Sequence, residues 1–549
     1  MCNSLLLGRR ISSEVNGLPN RIRNQSVQKD PSSTSISIIT RLRKSLSTPI
    51  DCASLCVFRI LFGLVPVLLF VIYELDGSLY KGYIEPRNYF TFVSWVKPLP
   101  SEGFHLLFLM MAIFGVLISL GLYYRMAAIC FTACLTYTFL LEKTEYQNHT
   151  YLLCLFGVLM SCLPANRMFT LDAIKRGRDK SESEKKGDSL ADRRIEHMMP
   201  GWQLYLLRAQ VIIVYFYAAV AKVNPDWLSG WPLRIWLFHK SGLPVVGKFL
   251  TGESTAVLFS YTGLILDFGL CVLLLYERTF WLAVILSVTF HVMNACFWNI
   301  DVFPFFMTAT LCLFARPDWP RRWMKQSRTG TGETIAQYAE EHATAEHAAA
   351  ERAGEVENGT TGGADARSGD ALSGSSAGTK KLCWARSLAP WLAAAYILVQ
   401  VLLPLRPFLY PGNCSWTEYG LRFSWRMLVR DKQAISFTLT ARDPVSGKTS
   451  IIAPQSFLTE RQIRKMETEP GMILQFAHIV ADRVEFQTGR RPEIHVDSYV
   501  SLNGRIPQPL ILTSVDLAKE KPSLLPRSWI VPLDPHAEPG AMYTLSQTR

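Results

Sequence analysis

The apolar residues of this chain are gathered into blocks that are about as long as a lipid bilayer is thick. The mean hydropathy of +0.15 over 549 residues is high for a soluble protein of this length. About nine blocks are present, and they cover residues 52–75, 103–124, 126–141, 149–163, 203–223, 255–276, 279–298, 300–315 and 387–405. The pattern predicts a mostly α-helical integral membrane protein with about nine transmembrane helices.

The basic residues lie mainly in the connectors between these blocks, with clusters within residues 41–44, 175–194 and 316–325. With an odd number of spans and a cytosolic N-terminus, every cluster falls on the cytosolic side, as the positive-inside rule requires. Membrane topology therefore accounts for the net charge of +12, and no nucleic-acid partner is predicted. Residues 1–50 hold no signal-peptide core, so the first span is expected to act as an uncleaved signal anchor.

Changes in composition divide the chain into five parts. Residues 1–50 form a basic cytosolic segment, and residues 51–326 form a transmembrane bundle of eight spans. Residues 327–385 are rich in Gly, Ala, Ser, Thr and Glu, a composition that predicts a disordered cytosolic loop. Residues 386–406 form the ninth transmembrane helix. Short alternating runs such as "AISFTLTARD", together with one helical segment, then predict a lumenal α+β domain over residues 407–549.

Three charged residues inside the predicted spans, Arg59, Arg208 and Asp267, lie at a similar depth toward the cytosolic ends. Charges within a bilayer are costly and usually have a partner. A structural ion pair or triad that ties spans one, five and six together is the simplest interpretation. A proton relay is the alternative.

A second group of polar residues lies at the opposite, lumenal ends of three spans: Asn148, His149, Lys222, His291 and Asn294. A single histidine or lysine at a membrane boundary is usually an anchor or a satisfied hydrogen-bonding group. Five polar groups from three segments at one depth favour a functional site instead. Most of the 12 cysteines lie in or near apolar spans without metal-ligand spacing, so no metal is predicted.

Lys222 ends the apolar run "VYFYAAVAK" and shares one helical face with Arg208 and Tyr215, since the three are spaced by seven residues. Burial of this face in the bundle would disfavour the charged form of the lysine. A neutral amine is a competent base. Asp226 would oppose this effect if it lay close, unless the turn at Pro225 carries it away.

Several motifs, taken together and in order, identify the family that the chain resembles. They are "FRILFG" (58–63), "NHTYL" (148–152), "LRAQVIIVYFYAAVAKVNPDW" (207–227), "FHVMNACFWNIDVFPFFM" (290–307), "RPDWPRR" (316–322) and "FLYPGNCSWTEYGLRFSWRM" (408–427). This combination resembles the vitamin K-dependent gamma-carboxylase family, and the resemblance runs from about residue 48 to residue 533. It is similar to the shorter, carboxylase-like members, whose membrane part is an HTTM-type domain.

The resemblance implies roles for particular residues. The lysine that matches Lys222 acts in the family as the base that activates vitamin K hydroquinone, and the histidine that matches His149 is needed beside it. Asn148 is a candidate to orient His149 or a quinone oxygen. By position, His291 and Asn294 are further candidates for substrate or quinone binding, and two tryptophans are candidates for the pocket wall: Trp227 and Trp425.

The resemblance also implies the reaction and its participants. Vitamin K hydroquinone, O2 and CO2 are consumed, a glutamate side chain becomes gamma-carboxyglutamate, and the quinone leaves as the 2,3-epoxide. The expected partners are membrane lipid, a secreted Glu-containing protein, and an enzyme that reduces the epoxide again. The expected location is the endoplasmic reticulum membrane, with a cytosolic N-terminus and a lumenal C-terminus.

Departures from the animal enzymes keep a second interpretation open. The loop 76–102 has no cysteine, and Gly420, Leu421 and Arg422 stand where animal members carry a more apolar, aromatic stretch tied to glutamate binding. The chain also ends soon after "SWIVPL". The alternative is therefore a catalytically lapsed relative that binds quinone or a partner protein as a regulator.

Overall fold

The computed structural model describes residues 46–172, 197–244, 247–298, 300–326 and 376–541. Most of the predicted N-terminal segment and most of the predicted loop 327–385 lie outside the described residues. Contacts divide the chain into two units, 1–48 and 49–549, and the description below concerns the second unit.

The second unit begins as a helical bundle. Its helices, in chain order, are α1 Ala53–Leu75, α2 Ser101–Leu120, α3 Tyr124–Leu141, α4 Asn148–Cys162, α5 Gly201–Lys222, α6 Pro225–Leu228, α7 Leu233–Phe238, α8 Gly247–Leu250, α9 Glu253–Leu273, α10 Phe280–Phe297, α11 Phe303–Thr310, α12 Trp319–Gln326 and α13 Ser376–Leu402. A short antiparallel pair of strands joins β1 Pro49–Asp51 to β2 Met198–Pro200, just before α1 and α5.

The predicted spans coincide with apolar helices. Within the described residues, seven helical segments are long and apolar enough to cross a membrane, and two shorter apolar helical segments cover Asn148–Cys162 and Phe303–Leu313. The mostly helical membrane fold is therefore confirmed. The helix α13 begins at Ser376, ten residues before the predicted start of the ninth span, although its apolar part covers Leu388–Leu409.

The helices α1 and α2 approach closely because each has a glycine at the crossing. A Cβ atom added at Gly115 would lie 2.6 Å from the carbonyl oxygen of Gly63. Small residues at such crossings let two backbones come together inside a membrane, where packing rather than the hydrophobic effect drives helix association.

The C-terminal part is the predicted α+β domain. Its elements are α14 Cys414–Thr417, β3 Lys432–Arg442, β4 Thr449–Ile452, α15 Glu460–Met466, α16 Pro470–Thr488, β5 Glu493–Leu502 and β6 Gln508–Pro509. The sheet is antiparallel, in the order β4-β3-β5-β6. The helix α16 buries Ile473, Phe476, Ala477 and Val480, whose spacing places them on one helical face.

Polar contacts fasten this domain to one end of the bundle. The Glu142 carboxylate, at the end of α3, accepts a hydrogen bond from the Gln462 side chain of α15 at 3.0 Å. Glu145 forms an ion pair with Arg461 at 2.6 Å. The interface between the bundle and the C-terminal domain is therefore held by polar contacts.

The expected cluster of Arg59, Arg208 and Asp267 does not form. Arg59 donates to the carbonyl of Phe169 at 2.6 Å, and Arg208 donates to carbonyls of Leu313 and Ala315 at 2.7 and 3.0 Å. Asp267 instead pairs with a residue of α5. The prediction places the span ends at equal heights. In the structure the last residue of α5 pairs with Asp267 in the C-terminal half of α9, so α9 begins well beyond the end of α5.

Candidate functional site

A cavity of about 580 Å³ lies at the end of the bundle that faces the C-terminal domain. Helices α4, α5, α9 and α10 contribute to its wall, together with the loop 426–428 of the C-terminal domain. Many wall residues are apolar or aromatic. Seven residues singled out from the sequence line it: Asn148, His149, Lys222, Trp227, Asp267, His291 and Asn294.

Lys222 forms the central ion pair of this cavity. Its Nζ lies 2.7 Å from Oδ2 of Asp267, and the two residues are 6% and 3% exposed. The same Nζ also donates to the carbonyl of Ala218 at 3.3 Å. Since an ammonium has three N–H donors, one remains for a group inside the cavity. An amine and a carboxylate therefore stand together in a pocket that largely excludes water.

The turn after Lys222 folds Trp227 back over the lysine. Pro225 occupies the first turn of α6, and the Asn224 side chain accepts a hydrogen bond from the Trp227 amide at 3.0 Å, as an N-cap does. The Trp227 indole donates to the carbonyl of Ser260 at 2.9 Å, and its ring lies 5.3 Å from Lys222 Nζ. The indole face thus contacts the cation and forms one side of the cavity.

The same turn carries Asp226 away from Lys222. The Asp226 carboxylate accepts from Arg505 through both of its oxygens, at 2.7 and 2.8 Å, and from Asn503 at 2.7 Å. This answers the question that the sequence left open, since Asp226 pairs with the C-terminal domain.

The two predicted histidines approach the cavity from different helices. His149 and His291 are 5% and 1% exposed, and their rings lie 6.2 and 5.8 Å from the ring of Phe303. The Nε2 atom of His149 lies 3.7 Å from a carboxylate oxygen of Asp301. The histidines therefore flank one aromatic ring.

Each histidine keeps a ring nitrogen for which the described residues supply no hydrogen bond. For His149 it is Nε2, and for His291 it is Nδ1. The other ring nitrogen of His291 lies 2.8 Å from the hydroxyl of Tyr215, which in turn lies 3.1 Å from the hydroxyl of Ser287. Buried polar groups usually have partners, so these nitrogens favour a polar ligand at this site.

Trp425 does not line the cavity. Its side chain is fully buried and stacks on Tyr151 with the ring centroids 5.0 Å apart. Trp425 therefore packs in the core of the bundle rather than in the cavity wall. The loop that it anchors does reach the cavity, through Arg426, Met427 and Leu428.

The sequence interpretation missed two basic residues of the wall, Arg426 and Lys465. Arg426 directly follows a residue singled out as a wall candidate, so the motif did contain a signal for it. Lys465 lies in α15, and nothing in the sequence connected that helix with the spans.

The arrangement suits a mostly apolar molecule with a few polar groups. Aromatic and aliphatic walls bury its body, while the ion pair, the imidazoles and the amides of Asn148 and Asn294 are available for its oxygens. The amine of Lys222 is the group placed to exchange a proton with such a molecule.

Comparison with known families agrees with both halves of the chain. Residues 47–319 match the HTTM domain, and residues 386–536 match the lumenal domain of vitamin K-dependent gamma-carboxylase. No solved structure matches the chain. The first match covers the bundle that holds Lys222, and the second covers the domain that contributes Arg426.

Proposed function

Because the chain belongs to the vitamin K-dependent gamma-carboxylase family, we propose that it carboxylates glutamate side chains of secreted proteins at the expense of vitamin K hydroquinone. The observation that carries this proposal is the buried Lys222, with Asp267 beside it, in a cavity between the bundle and the C-terminal domain. The family's base chemistry needs an amine that is shielded from water, and Lys222 meets this requirement.

The cavity fits the hydroquinone in size and in chemistry. A volume of about 580 Å³ is within the range of small-molecule sites, and its aromatic wall suits a fused ring system. The His149 Nε2 and His291 Nδ1 atoms, which form no hydrogen bond with the described residues, offer contacts for ring oxygens. Lys222, His149, His291 and Asn294 are the residues that we expect to hold it. When bound, the hydroquinone supplies the reducing equivalents that O2 consumes in making a base strong enough to remove the γ-proton of glutamate.

Lys222 takes up the hydroxyl proton of the hydroquinone in this proposal, and it must be an unprotonated amine when it does so. Asp267, 2.7 Å away, can accept the ammonium proton. Moving that proton to the carboxylate removes two buried charges, which is favourable where water is excluded. His149 and Trp227 position the ring against the amine.

One side of the cavity is formed by helices with exposed apolar surface. Only 28% and 22% of the residues in the apolar stretches that contain α9 and α10 are buried, so much of the surface of these helices is available to lipid. Leu258 of α9 lines the cavity and is nevertheless 62% exposed. This side supports access for a lipid-soluble reductant, while the C-terminal domain supports access for a peptide from the lumen. The endoplasmic reticulum membrane, with a lumenal C-terminal domain, is the proposed location.

The test is a product assay with purified protein in detergent. Vitamin K hydroquinone, O2, labelled CO2 and a short Glu-containing peptide are supplied, and the epoxide and the labelled peptide are both measured. We expect both products in equal amounts. Epoxide without label would contradict glutamate as the substrate, and the absence of both from folded protein would overturn the proposed function in favour of a lapsed relative.

A further inference from the structure

A second carboxylate lies behind one of the histidines of the cavity. Oδ2 of Asp301 is 3.7 Å from Nε2 of His149, and the two side chains are 11% and 6% exposed. Among the residues that the structure describes, His149 belongs to the cavity wall and Asp301 does not. The imidazole therefore lies between this carboxylate and the cavity, and the roles proposed above for Lys222 and Asp267 leave Asp301 unused.

The distance between His149 and Asp301 suits proton transfer better than a permanent hydrogen bond. A separation of 3.7 Å is too long for a hydrogen bond, and Nε2 of His149 forms none with the described residues. An imidazole that gains a proton becomes a cation, which a carboxylate this close attracts. Catalytic hydrogen bonds are often long in the free enzyme and shorten in the complex. Nε2 is therefore able to take up a proton from the cavity and deliver it to Asp301.

The chain holds the Asp301 carboxylate in place. Asp301 lies between α10 and α11 with φ at 45°, in the left-handed region, which aspartate adopts more readily than most residues. The next residue, Val302, is fully buried, and Pro304 lies in the first turn of α11. The Gln147 side chain, just before α4, donates a hydrogen bond to the carboxylate. Two separate segments thus fix this group against His149.

Other charged and polar groups face Asp301 from the side of the C-terminal domain. Asp301 interacts electrostatically with Asp76, an exposed residue that follows α1, and with Arg461 of α15. It also interacts with Glu145, the carboxylate that pairs with Arg461, and with the hydroxyl of Tyr73 in α1. The Asp301 carboxylate therefore lies between a buried histidine and a charged, partly exposed boundary.

The proposed reaction needs a route for protons. Each turnover replaces a C–H bond of glutamate by a bond to CO2, while hydroquinone and O2 yield the epoxide and water. The sum of these changes releases one proton, and it does so in a cavity that largely excludes water. A carboxylate that is reached from the cavity through a single imidazole provides such a route.

We propose that Asp301 acts through His149 as its proton acceptor, and that the pair conducts the released proton from the cavity toward the lumenal boundary. In this step the Nε2–H bond of the imidazolium breaks and an O–H bond forms on Oδ2, so a cation and an anion become two neutral groups. The carboxyl then releases the proton to water at the boundary. Asp301 is a positioning residue in this scheme, because it contacts no substrate. The origin of the proton rests on the proposed function, whereas the pair rests on the geometry of the two residues.

The left-handed backbone decides which variants are informative. Asparagine and glycine both tolerate this conformation, so Asp301→Asn and Asp301→Gly remove the carboxylate without adding backbone strain. Asparagine fills the site and is a poor proton acceptor, whereas glycine leaves an open space. In both variants kcat for epoxide formation should fall by roughly 100-fold, with an unchanged KM for hydroquinone. Added formate should restore the rate of Asp301→Gly and leave that of Asp301→Asn low.

An aspartate on the surface of the C-terminal domain provides the matched control. Asp497 is an exposed residue of β5, and Asp497→Asn should keep the wild-type rate with or without formate. Wild-type rates in both Asp301 variants would overturn the proposal. A loss of activity in Asp301→Gly that formate does not restore would also overturn it, since a purely structural role would then account for the loss.

A measurement that needs no turnover tests the pair separately from the proposed function. The full chain in detergent is prepared with isotope-labelled histidine, and the ring-nitrogen chemical shifts of His149, assigned with His149→Gln, report how much of this ring is charged. At a pH where part of the wild-type ring is charged, Asp301→Gly should lower the ratio of charged to neutral ring by roughly 10-fold, because it removes the anion that stabilises the cation.

The two measurements distinguish the possible failures. A His149 charge that depends on Asp301, in a protein that forms no epoxide, would support the pair and overturn the carboxylase proposal. Epoxide and labelled peptide at wild-type rates in both Asp301 variants, with the same ratio of charged to neutral ring, would support the carboxylase proposal and overturn the pair.

Discussion

Lys222 and Asp226 lie four positions apart in the sequence, yet they belong to two different regions of the molecule. Lys222 pairs with Asp267 inside the bundle, and Asp226 pairs with Arg505 of the C-terminal domain. Pro225 lies between them and starts the short helix α6, so the two side chains point in different directions. Residues on either side of one turn therefore contribute to two different places, the cavity and the interface between the bundle and the C-terminal domain.

The two ion pairs differ in how fully their donors are used. The Arg505 guanidinium donates to both oxygens of Asp226 and to the carbonyls of Leu502 and Ala537. The Lys222 ammonium has Asp267 and the carbonyl of Ala218, and its remaining donor is free for the cavity. An ion pair whose hydrogen-bond donors are nearly all used is typical of a structural role. An ion pair in a cavity that keeps an unused donor is typical of a functional role.

Removing the lysine gives the largest expected effect. Lys222→Met should lower the rate of epoxide formation by about 10³-fold or more, since it removes the proposed base. Lys248→Met, at an exposed lysine of α8, is the control and should retain full activity. The measurement is epoxide formation per folded protein, and a Lys222→Met variant with more than a tenth of the wild-type rate would show that another group is the base.

Removing the partner of the lysine tests the cavity pair from the other side. Asp267→Asn should destabilise the bundle by about 3–5 kcal/mol, because it leaves a buried ammonium without its counter-charge. Combining it with Lys222→Met should cost less than the sum of the two single changes.

The control for this double-mutant cycle combines Asp267→Asn with Arg59→Met. The Arg59 side chain donates to the carbonyl of Phe169 and not to Asp267. Those two effects should add within about 0.5 kcal/mol. Unfolding in detergent measures the free energies of the three single variants and the two double variants, and strong coupling between Arg59 and Asp267 would contradict the ion pair described here.

Breaking the junction pair should affect stability more than chemistry. Arg505→Met leaves the half-buried Asp226 carboxylate with only Asn503, and the expected cost is about 3 kcal/mol in the free energy of unfolding. The exposed Arg491, which pairs with Asp482 and Glu485, is the control, and Arg491→Met should cost less than about 1 kcal/mol. Equal losses of unfolding free energy in the two variants would show that the Arg505–Asp226 pair stabilises the protein no more than a surface ion pair does.

The smallest expected effect concerns pH and the junction carboxyl Glu142. Burial raises the pKa of Glu142 to about 7, above its ordinary value of 4.5. Between these values the unfolded state has lost the proton that the folded state retains, so wild-type stability should fall as pH rises from about 4.5 to about 7. Glu142→Gln should flatten this slope, a difference of about 2 kcal/mol across the window. Unfolding curves at several pH values measure it, and parallel slopes in both proteins would contradict the assignment.

Much of the site could be predicted from local features of the sequence. Asn148, His149, Lys222, His291 and Asn294 lie at span ends, and depth in a membrane follows from the position of a residue within an apolar run. The structure brings all five to one cavity. Depth could not predict the partner of Asp267, because the short helices α6 to α8 change the height at which α9 begins.

The sequence by itself determined the membrane fold and the polar end of the bundle, because apolar runs of bilayer length and helical periodicity are local properties. Only the tertiary structure decided that Asp267 meets Lys222, that Asp226 turns to Arg505, and that Arg426 reaches the cavity. Each of these contacts depends on how separate segments are packed in height and direction. Packing of that kind is set by the sum of many distant contacts, which no short stretch of sequence contains.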